Sequence, residues 1–286
     1  MRLHEERRRR SAKLAALDPE RDWHELYRWL TLWEFPTETR LGFQLAFYRP
    51  LAVPRMAELL KSTGHMKFDT TRRAYDTALV MHEIIYGGVD SERGRQMVRL
   101  LNALHDRPDI HDEDMTYLLG ALMVVPTRVM DRFGWRTVTD EERHATWRFW
   151  DSLGERMRIE SRPASYNDAV ERMAEYEPAH FAPSEAGREL IQATFGALRA
   201  RMPRVARPFA PQLTGALVDE PAVLEALSLS PPSRILRTAV DVAVALRRSI
   251  ERRRPPADAA SFTPGQSTRQ VYTQGYELDQ LGPQER

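Results

Sequence analysis

Residues 70–105, TTRRAYDTALVMHEIIYGGVDSERGRQMVRLLNALH, contain two amphipathic segments separated by a pair of glycines. Apolar residues recur at helical spacing on both sides of Gly87-Gly88, a dipeptide that ends one helix before the next begins. Similar segments follow one another along the chain, and no sustained alternation of apolar and polar residues predicts a strand. The sequence therefore predicts an all-α fold.

Helix start and stop signals divide the chain further. Thr139 and Glu142 have the spacing of a capping box, and Ser230-Pro231 predicts the N-cap and first residue of the last helix. Pro126 is expected to kink the helix that contains it. The predicted helices cover about residues 2–17, 20–34, 37–48, 53–62, 68–87, 91–106, 112–133, 139–158, 165–177, 184–201, 219–228 and 232–253.

These helices predict a single multi-helix globular domain over residues 1–254. Residues 255–286 are rich in Pro, Gly, Gln, Ser and Thr, so an extended C-terminal tail is expected there. Its tyrosines, Tyr272 and Tyr276, predict that the tail packs on the body of the domain.

Composition excludes several classes of protein. The 286 residues carry a formal net charge of +1, and their aromatic residues lie in amphipathic helices, so nucleic acid is not an expected partner. The chain has no cysteine, which excludes disulfides, iron–sulfur clusters, thiolate-ligated haem and a cysteine nucleophile. The absence of cysteine fits a reducing compartment, and a cytoplasmic location is expected.

The sequence predicts neither a signal peptide nor a membrane-spanning helix. The N-terminus is charged, and the longest apolar stretch, residues 117–126, is shorter than the ~20 residues that span a bilayer. Arginine runs at residues 7–10 and 247–254 keep peripheral membrane contact open. Nucleotide-binding and serine-hydrolase motifs are also absent from the sequence.

Arg73 and Thr77 are the first candidate site residues. They lie four residues apart, so they share one face of the predicted helix. A buried arginine needs a partner, such as a cofactor propionate, an anionic substrate or a protein carboxylate, of which Asp76 is nearest in sequence. His82 lies on the opposite side of the predicted helix from Arg73 and is predicted to be solvated.

His105 is the second candidate. It ends the stripe Gly94, Val98, Leu101 and His105 on one face of the next predicted helix. A neutral imidazole there would suit iron, and Gly94 would permit a flat macrocycle or another helix to approach closely. A hydrogen-bonded histidine of the core has the same spacing, and spacing alone leaves both interpretations open.

Two Glu-x-x-His pairs allow a non-haem di-iron site as an alternative. Glu141 and His144 lie in the charged first turn of a predicted helix, where surface explanations suffice. Glu177 and His180 enclose Pro178, which predicts a non-helical segment.

The order and spacing of these segments resemble a family of oxygenases, typified by MpaB of mycophenolic acid biosynthesis, whose superfamily includes a rubber oxygenase, the latex clearing protein. The resemblance is carried by WLTLWEFPTETRLGFQLAFYRP from residue 29, RRAYDTALVMHEIIYGGVDSERGRQMVRLLNALH from residue 72, DEDMTYLLGALMVVPTRVMDRFGW from residue 112 and YEPAHFAP from residue 176. It runs from about Asp22 to Pro183 and continues weakly to GYELDQLGP near the end.

The resemblance implies an all-α domain that encloses haem b, with dioxygen and a lipophilic small molecule as substrates. It implies His105 as the proximal iron ligand and Arg73 and Thr77 on the distal side. Glu58 is the nearest candidate for a catalytic base, and Asp76 stands where the rubber oxygenase has a distal lysine, so rubber itself is not expected as the substrate.

The expected function is therefore a haem-b-dependent oxygenase that acts on a hydrophobic small molecule with dioxygen. Oxidative cleavage of an alkene such as a prenyl chain is one candidate reaction, and the redox partner is not identified by the sequence. A di-iron oxidase and a non-catalytic protein that binds a lipophilic ligand are the alternatives. Fungal members carry a membrane anchor, for which no counterpart is expected here. Apolar walls are expected from Leu100, Leu104, Leu118, Leu119 and Val124.

Overall fold

The computed structural model describes residues 12–64 and 70–282, and helices account for most of them. No β-strand occurs among these residues, whose sole β-type pairing is an isolated bridge between Thr273 and Gly275. The all-α prediction is confirmed. The α-helices are α1 (Trp23–Trp29), α2 (Pro36–Ala46), α3 (Arg49–Ala52), α4 (Pro54–Ser62), α5 (Thr70–Gly87), α6 (Glu92–His105), α7 (Asp112–Phe133), α8 (Asp140–Arg156), α9 (Tyr166–His180), α10 (Glu185–Arg201), α11 (Ala210–Val218), α12 (Pro221–Ala226) and α13 (Arg234–Arg253).

Local sequence signals place many helix ends correctly. The capping box at Thr139 and Glu142 is present at the start of α8, and α5 ends at Gly87 as expected. The predicted cap at Ser230 is wrong, because Ser233 caps α13 by accepting a hydrogen bond from the Leu236 amide at 3.2 Å. The consecutive prolines before Ser233 disfavour helical dihedrals in the residue that precedes each of them.

Other boundaries depend on tertiary contacts. The short helices α3 and α11 were not predicted from the sequence, and α9 continues through Pro178 to His180, contrary to the prediction. A π-helical turn at Leu30–Glu34 and a 3₁₀ turn at Arg204–Phe209 complete the helical segments before the tail. The predicted helix at residues 2–17 lies largely outside the described residues, as does the start of the one at 68–87.

The centre of the domain is the crossing of α2 and α7. A side chain at Gly42 would place its Cβ 2.3 Å from the Cα of Pro126, so the two backbones meet at this glycine. Beside the crossing, Trp150 of α8 is fully buried and donates a hydrogen bond of 3.1 Å to the Tyr27 hydroxyl of α1. This core supports α5 and α6, which pack against each other.

The C-terminal residues run as an extended segment along the surface of α5 and α6. The Ser261 amide donates to the Leu32 carbonyl at 2.9 Å, and Phe262 is buried against His82 of α5. Gly282 lies against Leu100 of α6.

None of the helices in the described part of the chain combines the length and the apolar character needed to cross a membrane.

Candidate functional site

His105 is the last residue of α6, and its ring is held by the backbone of its own helix. Nδ1 lies 2.7 Å from the Leu101 carbonyl, which can only accept, so Nδ1 carries the proton and Nε2 keeps its lone pair. Burial lowers the pKa of His105; the Leu101 hydrogen bond opposes this effect and the nearby Arg73 charge adds to it. A neutral imidazole with a free Nε2 is the form that binds a metal.

Arg73 lies on α5, close enough for its charge to lower the pKa of His105. Burial lowers the pKa of Arg73 itself, and Asp76 opposes that shift. The guanidinium is half-buried, and it makes neither a hydrogen bond nor an ion pair with the residues that the structure describes. Thr77, one turn further along α5, is also half-buried. This half-buried cation is therefore not neutralised by a direct protein contact in the described part of the chain.

Asp76, the predicted protein partner of Arg73, is engaged elsewhere. Its buried carboxylate accepts a hydrogen bond of 2.6 Å from the Tyr272 hydroxyl and lies 3.7 Å from Nε of Arg72. Burial raises the pKa of Asp76, and the Tyr272 hydrogen bond opposes this shift. The tail thus occupies the carboxylate that would otherwise pair with Arg73.

A second tail tyrosine makes the same kind of contact two turns along α5. Tyr276 donates to the Glu83 carboxylate, which is 1% exposed and also accepts two hydrogen bonds, of 2.6 and 2.7 Å, from Arg93. Both tyrosines pack on the body of the domain, as predicted, but their carboxylate partners were not predicted. No local signal predicts contacts across almost 200 residues.

His82 is not solvated, contrary to the prediction. It is buried between Phe43 of α2 and Phe262 of the tail, and its Nδ1 lies 2.6 Å from the Ala78 carbonyl. Burial lowers the pKa of His82, so the ring stays neutral at pH 7. The helical wheel gave the correct direction, opposite to Arg73, but α2 and the tail cover that side of the helix.

Gly94 does not make room for a flat macrocycle. A Cβ at this position would lie 1.9 Å from the Gly88 carbonyl oxygen and 2.9 Å from the Ser91 hydroxyl. The glycine therefore serves the tight connection between α5 and α6, where Ser91 caps α6 through the Gly94 amide at 2.9 Å.

The predicted apolar walls are only partly available. Leu119 packs near Gly154 of α8, where a Cβ added to the glycine would lie 2.7 Å from it, and Leu100 is covered by Gly282 of the tail. Val124 is fully buried in the core. Leu104 and Leu118 are half-buried.

The structure gives Glu58 no contact with Arg73 or His105. Its side chain is exposed on α4, a helix that packs against α10, and its charge acts on Lys61. The assignment of Glu58 as a catalytic base stays a prediction.

The residues named for a di-iron site do not assemble. Glu141 is exposed, and His144 lies 3.0 Å from the Glu20 carboxylate. Glu177 accepts hydrogen bonds from Tyr117, at 3.1 Å, and from the buried Arg49. Among the described residues, no three histidine or acidic side chains lie close enough to hold a metal ion together.

Arg49 is a buried residue that the sequence analysis missed. Its guanidinium is 2% exposed, contacts Glu177 of α9 and donates two hydrogen bonds, of 2.6 and 2.7 Å, to Glu220 beside α12. These partners lie 128 and 171 residues away in sequence, so only the fold brings them together.

Comparison with known proteins places the chain in a family. Residues 34–249 match the model of the ER-bound oxygenase mpaB/B'/rubber oxygenase catalytic domain. Similar proteins include ER-bound oxygenase mpaB' of Penicillium brevicompactum, 28% identical over 65% of this chain and 48% of that protein. ER-bound oxygenase mpaB of Penicillium roqueforti (strain FM164) is 28% identical over 65% of this chain and 69% of its own length.

ER-bound oxygenase mpaB of Penicillium brevicompactum is 30% identical over 54% of this chain and 44% of its own length. The chain thus spans about half of the length of the two Penicillium brevicompactum relatives. The family match covers α2 through most of α13, including the helices that carry Arg73, Thr77 and His105. The chain belongs to the family of ER-bound oxygenase mpaB/B' and rubber oxygenase catalytic domains.

Proposed function

We propose that this protein is a haem-b-dependent oxygenase that uses dioxygen to oxidise a hydrophobic small molecule. The observation that carries the proposal is the proximity of His105 and Arg73. His105 is a neutral histidine whose Nε2 is free, and Arg73 is half-buried and makes no ion pair with a described residue. Family membership adds an oxygenase framework around these residues.

The residues fit a haem by their chemistry. His105 would hold the iron through Nε2, and the Leu101 carbonyl would increase the donor strength of the ring by accepting from Nδ1. When bound, the haem supplies an iron centre that activates dioxygen. Arg73 would stabilise negative charge near the reacting oxygen or on a propionate, and the Thr77 hydroxyl would donate a hydrogen bond.

Haemin titration of the purified protein tests the proximal assignment. The wild-type protein should develop a Soret band with about one haem per chain, and His105→Ala should abolish or strongly weaken that band. His180→Ala is a matched control, because His180 is also half-buried at a helix end, with Nδ1 2.9 Å from the Tyr176 carbonyl. An unchanged spectrum in His105→Ala, or an equal loss in His180→Ala, would contradict the assignment.

Arg73→Ala tests the distal role. This variant should retain more haem than His105→Ala and yet lose turnover of a lipophilic alkene substrate, such as a prenyl compound. Full turnover by the variant would remove Arg73 from the chemistry. Two irons per chain without a Soret band would support the di-iron alternative. Protein that takes up no iron under any preparation would support a non-catalytic ligand-binding protein.

A further inference from the structure

The last long helix, α13, lies on the surface with an apolar face that the described residues leave uncovered. None of its 20 residues is fully buried. One side contributes Val240 and Val244 to packing against the core. Another side carries a stripe, which we call the α13 stripe, of apolar residues that are 42–83% exposed: Ile235, Val242, Leu246 and Ile250.

The spacing of the α13 stripe makes it continuous. Its members are separated by seven, four and four residues, so they lie on one face along nearly the full length of the helix. Single exposed apolar residues are ordinary on a protein surface, whereas a continuous stripe indicates a surface that contacts something.

The charge around the stripe indicates the kind of partner. Residues 234–254 contain seven arginines and two acidic residues. Three of these arginines form ion pairs: Arg237 with Asp219, Arg247 with Glu38 and Arg254 with Glu251. Arg234 and Arg253 are exposed, and neither forms an ion pair with a described residue. The α13 stripe, with arginines at both ends of its helix, suits a partner whose interior is apolar and whose outer groups are anionic.

A cavity along one flank of the helix continues this basic surface. It has a volume of about 590 Å³, and four of its eight lining residues are arginines. Arg252 and Arg253 belong to the lining, and Arg252 also donates to the Trp135 carbonyl at 3.0 Å. The lining residues are Arg132, Asp241, Val244, Ala245, Arg248, Ser249, Arg252 and Arg253.

We propose that α13 docks this protein onto an anionic phospholipid surface. The α13 stripe enters the boundary between headgroups and acyl chains, and the exposed Arg234 and Arg253 bind lipid phosphates. A second copy of the chain fits less well, because two stripes face to face would bring like-charged arginines together. Docking through α13 requires neither haem nor oxygenase activity.

Vesicle flotation tests the proposal with the apo protein. We expect binding to vesicles of phosphatidylcholine mixed with phosphatidylserine, weakening as salt rises, and little binding to phosphatidylcholine alone. Leu246→Glu should weaken binding at least about tenfold, because it removes buried apolar area and adds repulsion. Arg253→Ala should weaken it about fivefold.

Ala174→Glu is the matched control, since it adds one negative charge at an exposed helical position on α9. It should bind vesicles like the wild type, and circular dichroism should show that all variants are folded. The proposal would be overturned by equal binding to both kinds of vesicle or by no binding to either. It would also be overturned if Leu246→Glu bound vesicles as tightly as the wild type. A dimer in lipid-free light scattering that Leu246→Glu dissociates would assign the stripe to a second copy instead.

Discussion

Removal of the Tyr272 hydroxyl should detach the tail from α5 more than removal of the Tyr276 hydroxyl. Both tyrosines donate to a buried carboxylate of the same helix, at Asp76 and Glu83. The two carboxylates differ in their other partners. Glu83 keeps two hydrogen bonds from Arg93, whereas Asp76 keeps a cation 3.7 Å away and a backbone amide of Gly282.

The expected sizes follow from this difference. A hydrogen bond to a charged group contributes about 1.5–3 kcal/mol. Asp76 is only 6% exposed, so water can hardly replace the hydrogen bond that the Tyr272 hydroxyl donates. Tyr272→Phe should therefore lower the free energy of unfolding by about 2–3 kcal/mol. Tyr276→Phe should lower it by about 1 kcal/mol, because the Glu83 carboxylate remains paired.

Urea denaturation followed by circular dichroism measures both losses, and limited proteolysis of the tail reports local detachment. A double-mutant cycle with Asp76→Asn isolates the pair, and we expect a coupling energy of at least about 1 kcal/mol between positions 76 and 272. An equal or larger loss in Tyr276→Phe, or a coupling energy near zero, would refute the reasoning.

Two further predictions concern the core. Gly42→Ala should destabilise the protein by about 1–3 kcal/mol, because its Cβ would lie 2.3 Å from Pro126, while Gly196→Ala, with nothing within 4 Å, should be neutral or stabilising by up to ~1 kcal/mol in thermal unfolding. Burial lowers the pKa of three histidines below the usual 6.5, namely His24, His82 and His105. Their contribution to stability is present above pH 6.5 and is lost as the pH falls through their folded-state pKa values, because the unfolded chain protonates first. His82→Gln should reduce this loss by up to about 1.4 kcal/mol per pH unit in urea titrations, and the exposed His111→Gln should not.

Local sequence determined the class of the fold and many of its helix ends. Amphipathic spacing predicts a helix whatever packs against it, and the Thr139–Glu142 capping box needs only residues that are neighbours in sequence. For the same reason, the sequence placed Arg73 and Thr77 on one helix and His105 at the end of the next.

Tertiary structure decided what surrounds each of these residues. The helical wheel gives the direction of His82 but cannot show that Phe43 and Phe262 cover it. Asp76 is only three residues from Arg73 in sequence, yet its carboxylate accepts a hydrogen bond from Tyr272, which is 196 residues away. A helix fixes its own periodicity through contacts of three to four residues, whereas burial and ion pairing depend on segments that only the folded chain brings together.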